Sequence, residues 1–337
     1  MSLLGAQKRP AEDGDDGKAP SAKPETPDAY GEWRLTVRVG NRERTSLLAL
    51  SRGPEGRTTG QWVSTRRLAQ LQDVTWKDGR LRFTWESRGR DGEPATRTFE
   101  GTIEDDQLTG TLSTERGERA VKGERIPPLP ALAGDWAMGY SGDRISSTLA
   151  VRRGEEGELT ATWRDASSDE KLGDFSIEDG KVMSTYKGSK YEGRLRSHGD
   201  LLDGTLATER GKIQIVALRI GTALIGAWEL DVTSERGTRA QRLRIAPDLS
   251  GWYNATPVTI SVGELAEGES PSAGEIASLA DRPLRFTASS GDRELSFEGS
   301  VVDGVLRGEI TSARGTAKVS GRRKDDATET SSRTTQE

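Results

Sequence analysis

Apolar and polar positions alternate along most of this chain. Trp33, Leu35 and Val37 fall on one side of an extended segment, with charged or hydroxyl residues between them. The same two-residue period groups Leu81, Phe83 and Trp85. It then sets Phe99, Gly101 and Ile103 against Leu108, Gly110 and Leu112 across Asp105-Asp106, and ends on Val121, Gly123 and Arg125. A period of two marks strands that give one face to a core and the other to water. Asp78-Gly79, Asp105-Asp106 and Arg116-Gly117 supply the turns between consecutive strands. Counting such segments predicts about eight strands in this first stretch. No segment shows a 3.6-residue apolar period flanked by caps.

The pattern then recurs in phase. Tyr191, Gly193 and Leu195 face Leu202, Gly204 and Leu206; Phe297, Gly299 and Val301 face Leu306, Gly308 and Ile310. Each copy opens on Gly-x-Trp: Gly31-Glu32-Trp33, Gly134-Asp135-Trp136 and Gly226-Ala227-Trp228. Each carries a late hairpin, at 110–117, 204–211 and 308–315, and then an arginine: Arg125, Arg219 and Arg323. Fixed-period self-similarity decides the architecture before any single residue is read. The prediction is an all-β chain of three tandem antiparallel up-and-down meander barrels, over 31–126, 134–220 and 226–323. Residues 1–30 and 324–337 have the composition of disordered ends. Residues 127–133 form a Pro-rich linker, read as a stiff extended spacer. The short apolar join Ile220 to Ile225 predicts that modules two and three pack directly, and Gly263 to Gly274 reads as a long loop.

A meander exposes two sheet edges unless its first and last strands meet. Ring closure brings Trp33 to Arg125, Trp136 to Arg219 and Trp228 to Arg323. There each guanidinium stacks on an indole and donates to carbonyls at the barrel end, for roughly 0.5–2 kcal/mol when partly desolvated. At these residues the modules resemble the calycin group, the lipocalin- and avidin-like barrels, which open with Gly-x-Trp and place an Arg on a late strand across it. The resemblance covers nearly all of residues 31–323. The modules depart from ordinary lipocalins in being shorter and in lacking the C-terminal helix pattern, the cystines and the second lipocalin motif, which bears on a roomy cavity more than on the meander. The chain is also similar to β-barrel repeats of bacterial extracytoplasmic proteins, which implies a periplasmic or secreted location.

Composition narrows the function. With 32% apolar residues, 31% charged residues and 40 glycines, the chain suits half-buried strands rather than a helix-covered parallel sheet. The net charge is −5; the two ends carry −2 each, which leaves the modules near −1 with no basic stripe. The electrostatic footprint of a nucleic-acid binder is therefore missing. There is no cysteine, hence no disulfide or thiolate site. No apolar run reaches the ~18 residues of a membrane span. Leu3-Leu4 is too short for the apolar core of a signal peptide, so a cytoplasmic protein and a chain that begins after a removed leader both stay open.

Candidate chemistry is sparse. His198, the single histidine, sits in a turn without partners for a triad or a zinc site. Gly139-Tyr140-Ser141-Gly142 is one residue short of a nucleophile elbow. The recurrent acids Glu100, Glu192 and Glu298 point outward by alternation, where a cross-strand cation accounts for them better than a glycosidase pair. The inward glycine row, Gly101, Gly110 and Gly123 with Gly299, Gly308 and Gly321, either hollows the barrels for a ligand or is filled by large neighbours such as Trp33 and Trp85; the filled reading is preferred. Trp62, Trp163, Trp252 and Tyr253 are the ligand-binding candidates, as aromatics at a barrel mouth. No catalytic residue, metal or cofactor is assigned. The expectation is a non-catalytic binding or scaffolding protein for a small apolar or glycan ligand, with no nucleic-acid partner and no membrane span. The alternative is a structural spacer with filled barrels that meets partners through its outer faces; a glycan-active enzyme stands third.

Overall fold

The computed structural model describes residues 28–324 apart from 54–55, 66, 89–92, 141–143, 155–156, 197–198, 264–278, 280–281 and 291–292. His198 and most of the predicted loop and elbow segments fall outside these. The first module runs through β1 (Gly31–Val39), β2 (Arg42–Arg52), β3 (Thr58–Ser64), β4 (Leu68–Gln70), β5 (Gln72–Lys77), β6 (Arg80–Arg88), β7 (Pro94–Glu104), β8 (Gln107–Thr114) and β9 (Gly117–Ile126). Their order in the sheet is β4-β3-β2-β1-β9-β8-β7-β6-β5, antiparallel throughout. The second module, β10 (Gly134–Tyr140) to β18 (Gly211–Arg219), and the third, β19 (Gly226–Ser234) to β27 (Gly315–Arg323), repeat that order. The protein is three nearly closed antiparallel barrels in tandem, with nine strands each among the described residues.

The ninth strand arises from a break that the alternation did not predict. A single residue, Leu71, separates β4 from β5, and its N–H turns back to Gly60 O at 2.9 Å. That bond keeps β4 on β3, while β5 crosses to β6. Leu172 N to Ala161 O (2.8 Å) and Ile260 N to Leu249 O (2.9 Å) make the same turn in the other modules. In the first two modules the next strand is bulged, with Asp73 (φ 50°) and Asp174 (φ 47°) left-handed. The seam of each barrel lies here.

The opposite side is closed by hydrogen bonds. β1 pairs with β9, β10 with β18 and β19 with β27, and the registers set Trp33 opposite Arg125, Trp136 opposite Arg219 and Trp228 opposite Arg323. All three indoles are buried, and a buried indole N–H needs an acceptor. Each finds it four residues back, at Ala29 O (3.0 Å), Leu132 O (3.0 Å) and Leu224 O (2.8 Å). The segment before each Gly-x-Trp is thus a barrel floor rather than linker or tail. Ala29, Leu132, Ala133 and Leu224 are buried, which moves the start of the first module ahead of Gly31 and takes the second half of the Pro-rich stretch into module two.

The arginines bind the floor from the other side. Arg125 lies 4.3 Å over the Trp33 ring and donates to Tyr30 O and Asp28 O; Arg219 lies 4.3 Å over Trp136 and donates to Ala133 O (2.5 Å), Ala131 O and Gly199 O (2.7 Å). Burial pulls the Arg219 pKa down to about 10, so it stays charged at neutral pH. Arg323 is exposed and reaches Thr222 O and Ile225 O at 3.4 and 3.3 Å.

The opening glycine belongs to the same device. Gly31, Gly134 and Gly226 have φ of +116°, +133° and +133°, and a Cβ on Gly134 would meet Pro247 O at 2.6 Å and Arg219 Nη1 at 2.8 Å. Gly134→Ala is expected to lower stability by about 1–3 kcal/mol in urea unfolding, beyond the cost of Gly40→Ala, whose added methyl meets open space. Equal costs at the two positions would remove the close-approach argument.

Modules two and three meet at Gly134 and Pro247. A further contact joins modules one and three. Leu47 and Val63, on the outer face of barrel one, are 2% and 0% exposed, packed with Ala255, Leu68, Ile126 and Trp252. Beside them Arg242 Nη2 donates to Glu32 Oε1 at 2.6 Å, and Gln61 Nε2 to Glu229 Oε1 at 2.5 Å. The linker therefore does not hold the barrels apart as an extended spacer.

Candidate functional site

The registers sort the predicted aromatics. Trp62 pairs with Leu48, Trp163 with Leu149 and Tyr253 with Leu243, so these three occupy equivalent inward positions. Trp62 stacks on Trp85 with centroids 4.8 Å apart, and Trp163 on Tyr186 at 4.4 Å. Tyr253 packs near Phe286 at 5.4 Å and gives its hydroxyl proton to Gln241 Oε1; burial pushes its pKa up. All three are buried in the barrel cores. Trp252 is one residue out of phase and faces outward, half-buried at the contact with module one.

The glycine row has a direct cause. A Cβ on Gly101 or on Gly110 would lie 2.7 Å from Phe99 Cζ. Gly299 and Gly308 carry the Phe297 ring in the same way, at 2.6 and 2.9 Å, and Gly193 and Gly204 carry Tyr191. The aromatic two residues before each first glycine lies flat over the pair and fills the space that the glycines open. The filler over these pairs is this ring rather than Trp33 or Trp85; beside Gly123 and Gly321 it is Leu35 and Leu230, whose Cδ2 atoms an added Cβ would run into. Phe83 stacks on Phe99 at 4.9 Å and Phe286 on Phe297 at 5.0 Å. Module two breaks the pairing, with Ser184 opposite Tyr191. Burial raises the Tyr191 pKa, and the hydroxyls of Ser147, Ser184 and Tyr191 have no hydrogen-bond partner there.

The recurrent acids are on the outer faces, each beside a cation. Glu100 accepts from Arg82 at 2.8 Å, Glu192 meets Lys190 at 2.9 Å and Glu298 accepts from Arg285 at 2.7 Å. These bonds hold the Glu192 and Glu298 carboxyls below the usual carboxylate range. Among the described residues no group of three or more His, Cys, Asp or Glu is placed to hold a metal ion, and no helix is long and apolar enough to cross a membrane.

A concavity lies where two barrels meet. A cleft of about 2400 Å³ opens between modules one and three. One wall comes from β1, β2 and β3 (Glu32, Ser51, Gln61); the other from β20 (Gly237–Ile245) and β21 (Ser250–Tyr253), with Arg242, Arg244 and Trp252. Pro127, Pro128 and Leu129 of the linker and Arg153 of module two close it off. Sequence reasoning found Trp252 here but neither the cleft nor Arg242. A signal was present: Leu47-Leu48 breaks the alternation on β2, and such a run marks a strand buried on both faces.

No family model matches this chain, and no curated protein matches it. Among solved structures it is similar to a protein of Bacteroides fragilis described as a candidate outer membrane protein. That match has 9% identity over 87% of this chain and 97% of the other, at a TM-score of 0.24. It is also similar to the isotype 1 transferrin binding protein B of serogroup B Neisseria meningitidis, at 11% identity over 87% of this chain and 74% of that one, TM-score 0.20. A third is a protein of unknown function in the DUF3598 family from Nostoc punctiforme, at 10% identity over 88% and 96%, TM-score 0.17.

Proposed function

We propose that this chain is a non-catalytic binding module whose ligand seat is the cleft between modules one and three, not the barrel interiors. The cleft itself carries the reading: about 2400 Å³ of concave space, built from modules one and three, the linker and Arg153 of module two, with an outward-facing tryptophan on its wall. Sites of this kind form where domains meet, and a few placed polar groups among apolar ones give them orientation. The rings over the glycine pairs speak against a roomy pocket inside each barrel. The outward, cation-paired glutamates speak against a glycosidase centre.

The filled interiors also support a second reading, a spacer that meets proteins through its outer faces. Fluorescence separates the two. Of the eight tryptophans, Trp252 is the one among the residues lining the cleft. Titration with a panel of glycans, lipids and hydrophobic dyes is expected to give a quench that Trp252→Phe removes, since Phe keeps an aromatic ring at the module contact. A quench that persists in Trp252→Phe would place the ligand elsewhere. No quench from any compound would leave the spacer reading.

A further inference from the structure

The cleft has a charge that the chain does not share. From module one come Arg52 and Arg125, and from module two Arg153. Module three and the residue after it add Arg242, Arg244, Arg285 and Lys324. Against these seven cations stand three acids of the lining, Glu32, Glu298 and Glu309, and two just behind it, Asp106 on Arg125 and Glu229 on Lys324 at 3.6 Å. A protein with a net charge of −5 has therefore gathered a local excess of +2 around this cleft. Low-dielectric walls focus such a field and raise the local concentration of anions.

We infer that the cleft binds an acidic glycan, a chain of sugar rings carrying carboxylates; this rests on the cleft being the ligand seat. Three observations select that chemistry. The cations are spread over three modules instead of converging on one point, which matches single charges spaced along an extended ligand rather than one dense phosphate. The site already seats carboxylates on guanidiniums: Glu32 on Arg242 at 2.6 Å and Arg244 at 3.6 Å, and Glu298 on Arg285 at 2.7 Å. Arg pairs with carboxylates through a planar fork, and Arg52 and Arg153 are exposed on the walls. Finally, the walls carry the rings of Tyr30 and Trp252 together with Ser51, Thr59 and Gln70. Aromatic faces stack on sugar rings, and hydroxyls and amides answer sugar hydroxyls.

Calorimetric titration of the full chain tests this with four probes: trigalacturonate, its methyl ester, hexaglutamate and the hexanucleotide of thymidine. Trigalacturonate is expected to bind, its methyl ester about tenfold or more weakly, with affinity falling as salt rises. Arg52 and Arg153 are exposed, so Arg52→Gln/Arg153→Gln is expected to keep the wild-type melting curve and weaken trigalacturonate binding about tenfold. Trp252→Phe, read by the same calorimetry, is expected to weaken it as well. Equal binding of the ester and the acid would overturn the charge argument and leave the cleft as a neutral seat. Tighter binding of hexaglutamate or of the nucleotide would overturn the glycan. Unchanged affinity in the double arginine variant would remove the acidic ligand from the cleft, while a quench lost in Trp252→Phe with any neutral compound would keep the cleft as the seat.

Discussion

Trp136→Ala is expected to destabilise the second module by about 3–5 kcal/mol, the range for truncating a large buried aromatic. Three contacts are lost together. The indole is fully buried, it donates to Leu132 O at 3.0 Å, and it is the platform for the Arg219 guanidinium 4.3 Å above it. Without it, Leu132 O loses its donor and Arg219, itself 6% exposed, faces a cavity instead of a π surface. Glu192→Ala is the control. That carboxylate lies on the outer face of β16 (Ser189–Leu195) beside Lys190, and its loss is expected to leave the melt where it was. Both positions are on strands of the same barrel, so any difference reports the face and not the location. Comparable shifts in urea unfolding would mean that the inward and outward sides of barrel two have been assigned wrongly. Trp228→Ala is expected to cost less than Trp136→Ala, because Arg323 is exposed where Arg219 is buried.

The closure of each ring could be read from residues because three separate constraints leave marks at fixed spacing. An indole must be buried, an arginine must stand opposite it and bond the floor carbonyls (lying over the ring in modules one and two), and a glycine must take a φ that other residues avoid and leave room for that arginine. Each constraint admits one residue type, so the sequence shows it three times. The seam left no such mark. Leu71, Leu172 and Ile260 are ordinary apolar residues that keep the alternation roughly intact, and the break depends on a backbone N–H turning to Gly60, Ala161 or Leu249. Backbone direction of that kind has no residue signature.

The cleft was hidden for a different reason. It depends on barrels one and three meeting, and contacts between modules are made by outward positions, which alternation assigns to water. Leu47 and Val63 were visible as exceptions, and Arg242 and Arg244 flank Leu243 at positions that read as solvated. The aromatics show how much phase alone can do. Trp252 and Tyr253 are neighbours and were grouped together, yet the two-residue period already separates them. Tyr253 aligns with Trp62 and Trp163 in the core, and Trp252 aligns with Gln61 and Thr162 on the outer face.

Glu32→Gln should uncouple modules one and three and lower overall stability by about 3 kcal/mol, near the lower end for breaking a buried ion pair. The side chain of Arg242 is 8% exposed and that of Glu32 is 22% exposed, so the arginine is the more costly group to strand. With Glu32 neutral, the buried Arg242 guanidinium is left without its carboxylate, and Arg244, 3.6 Å from the same oxygen, cannot compensate a second cation. The neighbouring bonds from Gln61 and Gln70 to Glu229, at 2.5 and 3.4 Å, then carry the polar part of the contact alone. Because the pair spans two modules, its loss changes cooperativity as well as stability: modules one and three should unfold together in the wild type and separately in the variant. Glu32→Gln/Arg242→Met is the decisive partner experiment. Removing both charges and filling the space with an apolar chain should recover most of the loss, since the cost lies in the uncompensated guanidinium and not in the missing attraction. A double variant as unstable as Glu32→Gln would mean that the ion pair itself holds the barrels together. Separate unfolding of modules one and three in the wild type would mean that the contact, and the cleft it shapes, does not persist in solution.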